Sequence, residues 1–216
     1  MSFRDPRTDD LTYPVCDQAR DILMTYEQTP RSLHLPRGPT PYYPYSDIIK
    51  VLIENSLGKK VFLCKCLKCQ KQAGLRDGID NRESRWDEGE LLGGFATTYA
   101  LLIYLRCPGL ISDFRQLSLS LDQNYLSYEQ LGFLANSVVL TALQARNIRT
   151  EILRTQYQFR VRKFARSNEI TIVDEKETLP IYEDKDPAGK GDFGEVYPFD
   201  VRPEYVDDNL KFLQVS

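Results

Sequence analysis

Apolar positions recur at helical spacing over most of the chain, and the pattern changes character towards its end. Val15, Ala19, Ile22 and Leu23 lie three or four residues apart, the stripe of a short amphipathic helix over Val15–Met24. Ser46 is placed to cap a second helix over Asp47–Glu54, with Gly58 as its stop. A long helix is expected from Asp87 to Arg106, with Trp86 as an N-terminal staple or core edge ahead of it and Cys107, Pro108 and Gly109 ending it. A short helix over Leu110–Gln116 follows. Ser127 and Gln130 have capping-box spacing ahead of Leu131, Leu134, Val138 and Leu143, which places another long helix there, its stripe continuing through Ile148, Ile152 and Leu153. After that the period becomes two. Tyr157, Phe159 and Val161 alternate with Gln158, Arg160 and Arg162, and Glu169–Val173 repeats the alternation across Arg166, Ser167 and Asn168, which predicts a hairpin.

Between the helices, Pro30, Pro36, Gly38, Pro39, Pro41 and Pro44 predict an irregular surface segment, since each proline removes a donor and restricts its predecessor. Tyr42, Tyr43 and Tyr45 then read as exposed linker or as an extended recognition segment. His34, in the same stretch, reads as a solvated loop residue with no catalytic role. Val61–Leu67 is compatible with a strand or a knuckle, and Gln72–Ser84 with a loop. The expected fold class is α+β. A mostly helical domain spans 1–156, a β-hairpin and acidic connector 157–178, and a β-rich tail 179–216.

Composition narrows the picture. With 216 residues, 42% of them hydrophobic, the chain can bury a core. A net charge of -3 argues against a nucleic-acid partner. Between Arg146 and Arg166, seven cations face a single acid, Glu151, which reads as a solvated face offset by the acidic tail. The polar start MSFRDPRTDD has no apolar core of a signal peptide behind it. The most apolar run, Leu91–Leu105, is interrupted by Gly93, Gly94, Thr97 and Thr98 and is shorter than the roughly 18 residues of a bilayer span. A cytoplasmic chain without a membrane partner is therefore expected, and its five cysteines are expected as free thiols or metal ligands rather than disulfides.

Cys64, Cys66 and Cys69 form C-x-C-x2-C within VFLCKCLKCQK, a spacing that can bring three thiolates to one tetrahedral zinc. A fourth ligand would come from Cys16, His34 or Cys107, and Lys60, Lys65, Lys68 and Lys71 would offset the negative charge. The alternative is that the cysteines pack as small apolar side chains.

A second motif lies in AGKGDFGEVY, where Gly189, Gly191 and Gly194 match G-x-G-x-x-G. A dinucleotide fold would need a helix to follow, but Glu195–Val201 is strand-like and contains Pro198, and no G-K-[ST] is present for a Walker loop. The longer string Gly189, Gly191, Phe193, Gly194, Val196 resembles the glycine-rich loop of protein kinases. Upstream, Gln156–Phe164, an acidic spacer and Leu179-Pro180-Ile181 are similar to the segment preceding the kinase domain in filamentous-fungal protein kinase-like proteins. In that family an apolar helix similar to Phe95–Leu105, with Pro108 behind it, belongs to a helical N-terminal region. The resemblance implies the first strands of a kinase N-lobe in the tail. It further implies ATP and Mg2+ as cofactors, glycine backbone over the phosphates, Phe193 at the loop tip, Val196 on the adenine and Lys211 on the phosphates. Ala188, Asp192, Pro198 and Asn209 depart from the family pattern, and no αC glutamate, H-R-D or D-F-G motif follows the loop. The expected function is that of a truncated kinase-like protein without catalytic competence. The alternative is a non-catalytic helical interaction or regulatory module with a protein partner, carrying a structural zinc site.

Overall fold

Ala96–Tyr104 is apolar around its whole circumference, and such a helix is stable only when other elements cover it on every side. The computed structural model describes residues 14–29, 40–54, 56–66, 69, 87–137, 140–161, 163–164, 176–184, 189–191, 194–196 and 199–207. In chain order the helices are α1 (Val15–Met24), α2 (Tyr45–Ile49, running into a π-turn over Lys50–Glu54), α3 (Leu57–Phe62), α4 (Glu88–Gly94), α5 (Ala96–Tyr104), α6 (Ile111–Gln116) and α7 (Ala142–Phe159). Helix α5 is the hub, packed by α1, α2 and α7. Its residues Ala96 to Ile103 are all buried.

Burial of α5 obliges side chains from elsewhere to satisfy its ends. At the start, Asp122 Oδ2 accepts from Thr97 N at 3.1 Å and Oδ1 from Thr97 Oγ1 at 2.7 Å. Phe95, in the capping position, makes no such bond itself. Thr98 Oγ1 accepts from Leu121 N at 2.8 Å, and Tyr99 donates its hydroxyl to Gly58 O at 3.1 Å. At the far end, Arg20 of α1 donates Nε to Tyr104 O at 2.9 Å, with its guanidinium 5.4 Å from the Tyr104 ring centroid.

The expected single helix from Asp87 to Arg106 is broken at Phe95 (φ -135°, ψ 9°), immediately after Gly93-Gly94, whose backbone freedom weakens a helix at that point. The capping box at Ser127 and Gln130 forms, with bonds of 2.8 and 3.2 Å, but it opens a 3-10 segment over Gln130–Asn136. The long helix begins later, at a second box. Thr141 Oγ1 accepts from Gln144 N at 3.2 Å, and Gln144 Oε1 accepts from Thr141 N at 2.9 Å.

The α+β class with a β-rich tail is overturned: the described residues are mostly helical. Tyr157–Phe159, expected as the start of a hairpin, ends α7, whose buried side is Ile152, Thr155, Gln156 and Phe159. Those four lie at helical spacing, but two are polar, so an apolar count misses the stripe. The second arm of the expected hairpin, Glu169–Val173, lies outside the described residues. Farther on, strands β1 (Ile181–Asp184), β2 (Gly189–Gly191), β3 (Gly194–Val196) and β4 (Phe199–Val201) are three or four residues long and, among the described residues, pair two by two, β1 with β4 and β2 with β3. Pro180, Pro187, Pro198 and Pro203 punctuate this stretch, and a proline cannot donate to a ladder.

The proline-rich segment is not exposed linker at its end: Tyr42 and Tyr43 are buried. Tyr43 stacks on Phe159 (4.5 Å, 19°), Tyr104 packs against both rings, and the Tyr43 hydroxyl donates to Glu27 Oε2 at 2.8 Å. Residues near 205 attach to this side of the helical block. Tyr205 meets Tyr42 edge to face at 6.3 Å and accepts from Tyr45 N at 2.9 Å, and Arg202 pairs with Asp47 at 3.4 Å. Among the described residues no helix is long and apolar enough to cross a membrane.

Gln156 clamps the loop before the 3-10 segment, its Oε1 accepting from Leu126 N at 2.8 Å and its Nε2 donating to Leu126 O at 3.2 Å. Gln156→Ala orphans both buried backbone groups and leaves a void, so chemical denaturation should show a loss of about 2–4 kcal/mol. A loss below about 0.5 kcal/mol would show that water replaces the clamp.

Candidate metal centre

Two segments supply the thiols. The first is α1, whose buried face is Cys16, Ala19 and Leu23, so helical periodicity turns the second residue of the helix into the core. The second follows α3. That helix ends at Phe62, Cys64 N donates back to Val61 O at 3.1 Å, and the chain leaves helical geometry. Of the stretch Val61–Leu67, expected as strand or knuckle, the described residues 61–66 form a helix end followed by a turn, which points the cysteines together. Cys69 N donates to Cys66 Sγ at 3.5 Å, closing that turn on a sulfur.

The Sγ atoms of Cys16, Cys64, Cys66 and Cys69 all lie within 4.8 Å of one another, and Cys16 Sγ is 3.7 Å from Cys66 Sγ. A tetrahedral zinc with Zn–S bonds of about 2.3 Å separates its sulfurs by about 3.8 Å. The four thiols therefore surround a space of the right size for one ion. Of the three candidates for the fourth ligand, the structure brings in Cys16. Cys107 is buried but outside the cluster, and His34 lies outside the described residues. Lys60 and Lys65 are exposed beside the turn; Lys68 and Lys71 are not among the described residues.

Without a metal, four thiols this close must share protons. Hydrogen bonds from Cys16 and Cys69, joined by a backbone bond from Cys66, hold the Cys64 thiol far below its ordinary range. The reciprocal bond to Cys64 pushes Cys16 up to about 12, assisted by burial. Bonds to Cys16 and Cys64, together with burial, raise Cys69 as well. The cluster thus carries thiolate character at Cys64 and keeps protons on Cys16 and Cys69. A divalent ion binds by displacing those protons, so affinity must rise with pH.

The glycine motif has a different placement. Gly189–Gly191 and Gly194–Val196 form an antiparallel ladder with Gly189 opposite Val196 and Gly191 opposite Gly194. A Cβ added at Gly189 would meet no atom within 4 Å. Phe193 and Lys211 lie outside the described residues, as does Trp86.

Comparison of the chain with protein-family models, with curated proteins and with solved structures finds no match. Cys16 was legible only as one of several candidates. Its signal is its position on the stripe of α1, in register with Ala19 and Leu23, where a small buried sulfur faces the core.

Cys16→Ser should lower zinc affinity by at least about tenfold, because a hydroxyl is a poor ligand for a soft site. Cys107→Ser should leave metal content unchanged. Equal losses in the two variants, read by competition with a chromophoric chelator, would place the fourth ligand wrongly.

Proposed function

We propose that this chain is a helical interaction or regulatory module stabilised by a structural zinc ion on Cys16, Cys64, Cys66 and Cys69. One observation carries the reading: four sulfurs from segments fifty residues apart lie within 4.8 Å of one another. Packing alone gives no reason for four thiols to converge, since a small apolar side chain would serve as well at each place. Four protein ligands fill a tetrahedral shell and leave no position for water or substrate, which favours a structural role over a catalytic one. Soft thiolates select zinc over magnesium or calcium. Sulfurs this close suit a single ion better than an iron–sulfur cluster, whose thiolates sit on separate irons. Four reduced thiols belong with a cytoplasmic setting.

A second reading follows from the loop. The antiparallel ladder joins Gly191 to Gly194 across two residues, and Gly189 is not needed for packing against the protein itself. Both features favour descent from a kinase-like glycine-rich loop, where glycine serves approach of a phosphate. In this reading the chain is related to the fungal kinase-like proteins; it contains no H-R-D aspartate to orient a hydroxyl, and its one D-F-G string, Asp192-Phe193-Gly194, lies inside the glycine loop itself.

Purified protein should contain about one zinc per chain, and removal by a strong chelator should lower Tm by about 10 °C or more, the shift that several kcal/mol produce at this size. Metal content below about a tenth of an equivalent, in protein that is folded, would overturn the zinc reading. Millimolar Mg-ATP should leave Tm unchanged. A clear rise abolished by Lys211→Ala would instead establish a working nucleotide loop.

A further inference from the structure

The four thiols are not equivalent. Cys16, Cys64 and Cys69 are 6%, 6% and 2% exposed, whereas Cys66 is only partly buried. A small solute arriving from water reaches the Cys66 sulfur first. That sulfur accepts the Cys69 backbone N–H at 3.5 Å, and the exposed Lys65 precedes it in the chain. Its neighbour across the fold is Cys16, with the two Sγ atoms 3.7 Å apart. Closing that gap to the about 2.0 Å of a disulfide takes a movement of about 1.7 Å, within the reach of a turn and the first turn of a helix.

We propose that Cys66 is a site of modification by peroxide, with Cys16 as its resolving thiol, so that oxidation ties α1 to the turn after α3 and expels the metal. The ion-release half rests on the zinc reading; the disulfide half does not. In the first step the Cys66 thiolate attacks one peroxide oxygen. The S–O bond forms, the O–O bond breaks, and the departing hydroxide takes up a proton to become water. Sulfur is oxidised by two electrons and the peroxide reduced by two. In the second step Cys16 attacks the Cys66 sulfur as its thiol gives up its proton, the S–S bond forms, the S–O bond breaks, and the oxygen takes up that proton and leaves as a second water. The balance is two thiols and one hydrogen peroxide giving one disulfide and two waters. Cys64 and Cys69 alone do not complete a tetrahedral shell, so the ion departs. A thiol reductant reverses the bond and restores the ligand set.

The sequence makes the pairing directly readable. Lys60, Lys65, Lys68 and Lys71 separate Cys64, Cys66 and Cys69 onto three different tryptic peptides. The zinc-loaded full chain is treated with one equivalent of hydrogen peroxide, zinc release is followed with a chromophoric chelator, and non-reduced tryptic peptides are weighed. The expected result is release of the bound zinc, a chain lighter by two hydrogen atoms, and a cross-link between the Cys16 and Cys66 peptides. Cys107→Ser should behave as wild type, and Cys66→Ser should slow formation of any cross-link by at least about tenfold. Zinc released with a Cys66–Cys69 or Cys64–Cys69 cross-link, or irreversible oxidation with no cross-link, would overturn the proposal while leaving the metal centre standing. Protein isolated without zinc that still forms the Cys16–Cys66 bond would overturn the metal reading alone.

Discussion

Four sulfurs brought from two parts of the chain into one buried space impose the condition on which the helical block rests. Thiolates that close repel one another, and thiols that close must divide their protons, as the opposed shifts at Cys64 and Cys16 express. A divalent ion would remove both difficulties at once, replacing protons by coordinate bonds and neutralising the thiolate charge. An ion held there would fix α1 relative to the turn after α3. That placement matters beyond the sulfurs, because Arg20 of the same helix reaches Tyr104 O and satisfies one end of the buried α5.

From α5 outward the structure is assembled by side chains that complete the bonding of distant backbone. Asp122 does this at the start of α5, and Gln156 does it for Leu126. The aromatic trio of Tyr43, Tyr104 and Phe159 joins the segment before α2, the end of α5 and the end of α7 into one contact. Tyr205 then fastens the stretch after β4 to Tyr42 and Tyr45. The helical block and the residues around 205 are thus held by specific polar and aromatic contacts as well as by apolar burial.

The periodic helices and the cysteine trio were legible in the sequence for simple reasons. The stripe of α1, the all-round apolar run of α5 and the C-x-C-x2-C spacing each depend on residues near one another in the chain. What could not be read depends on partners far away. Ser127-x-x-Gln130 and Thr141-x-x-Gln144 are the same local signal, and only tertiary packing makes the second one open the long helix. Thr155 and Gln156 are buried because Leu126 supplies bonding partners for the glutamine, so the inner face of α7 looked polar and its last turn looked like a strand. Tyr42 and Tyr43 sat in a proline-rich stretch that local composition marks as surface, yet the rings of Phe159 and Tyr205 bury them. Cys16 joins the trio only because α1 lies against the end of α3.

Titration of the metal-free chain with cobalt(II), watched by visible absorption and by unfolding in parallel, addresses the centre most directly, because cobalt reports its own ligands and geometry. The expected result is the intense absorption of a tetrahedral four-thiolate site, saturating at one equivalent, with cooperative unfolding gained over the same range. A weak octahedral spectrum, or a four-thiolate spectrum that leaves unfolding unchanged, would contradict the dependence of the helical block on these sulfurs.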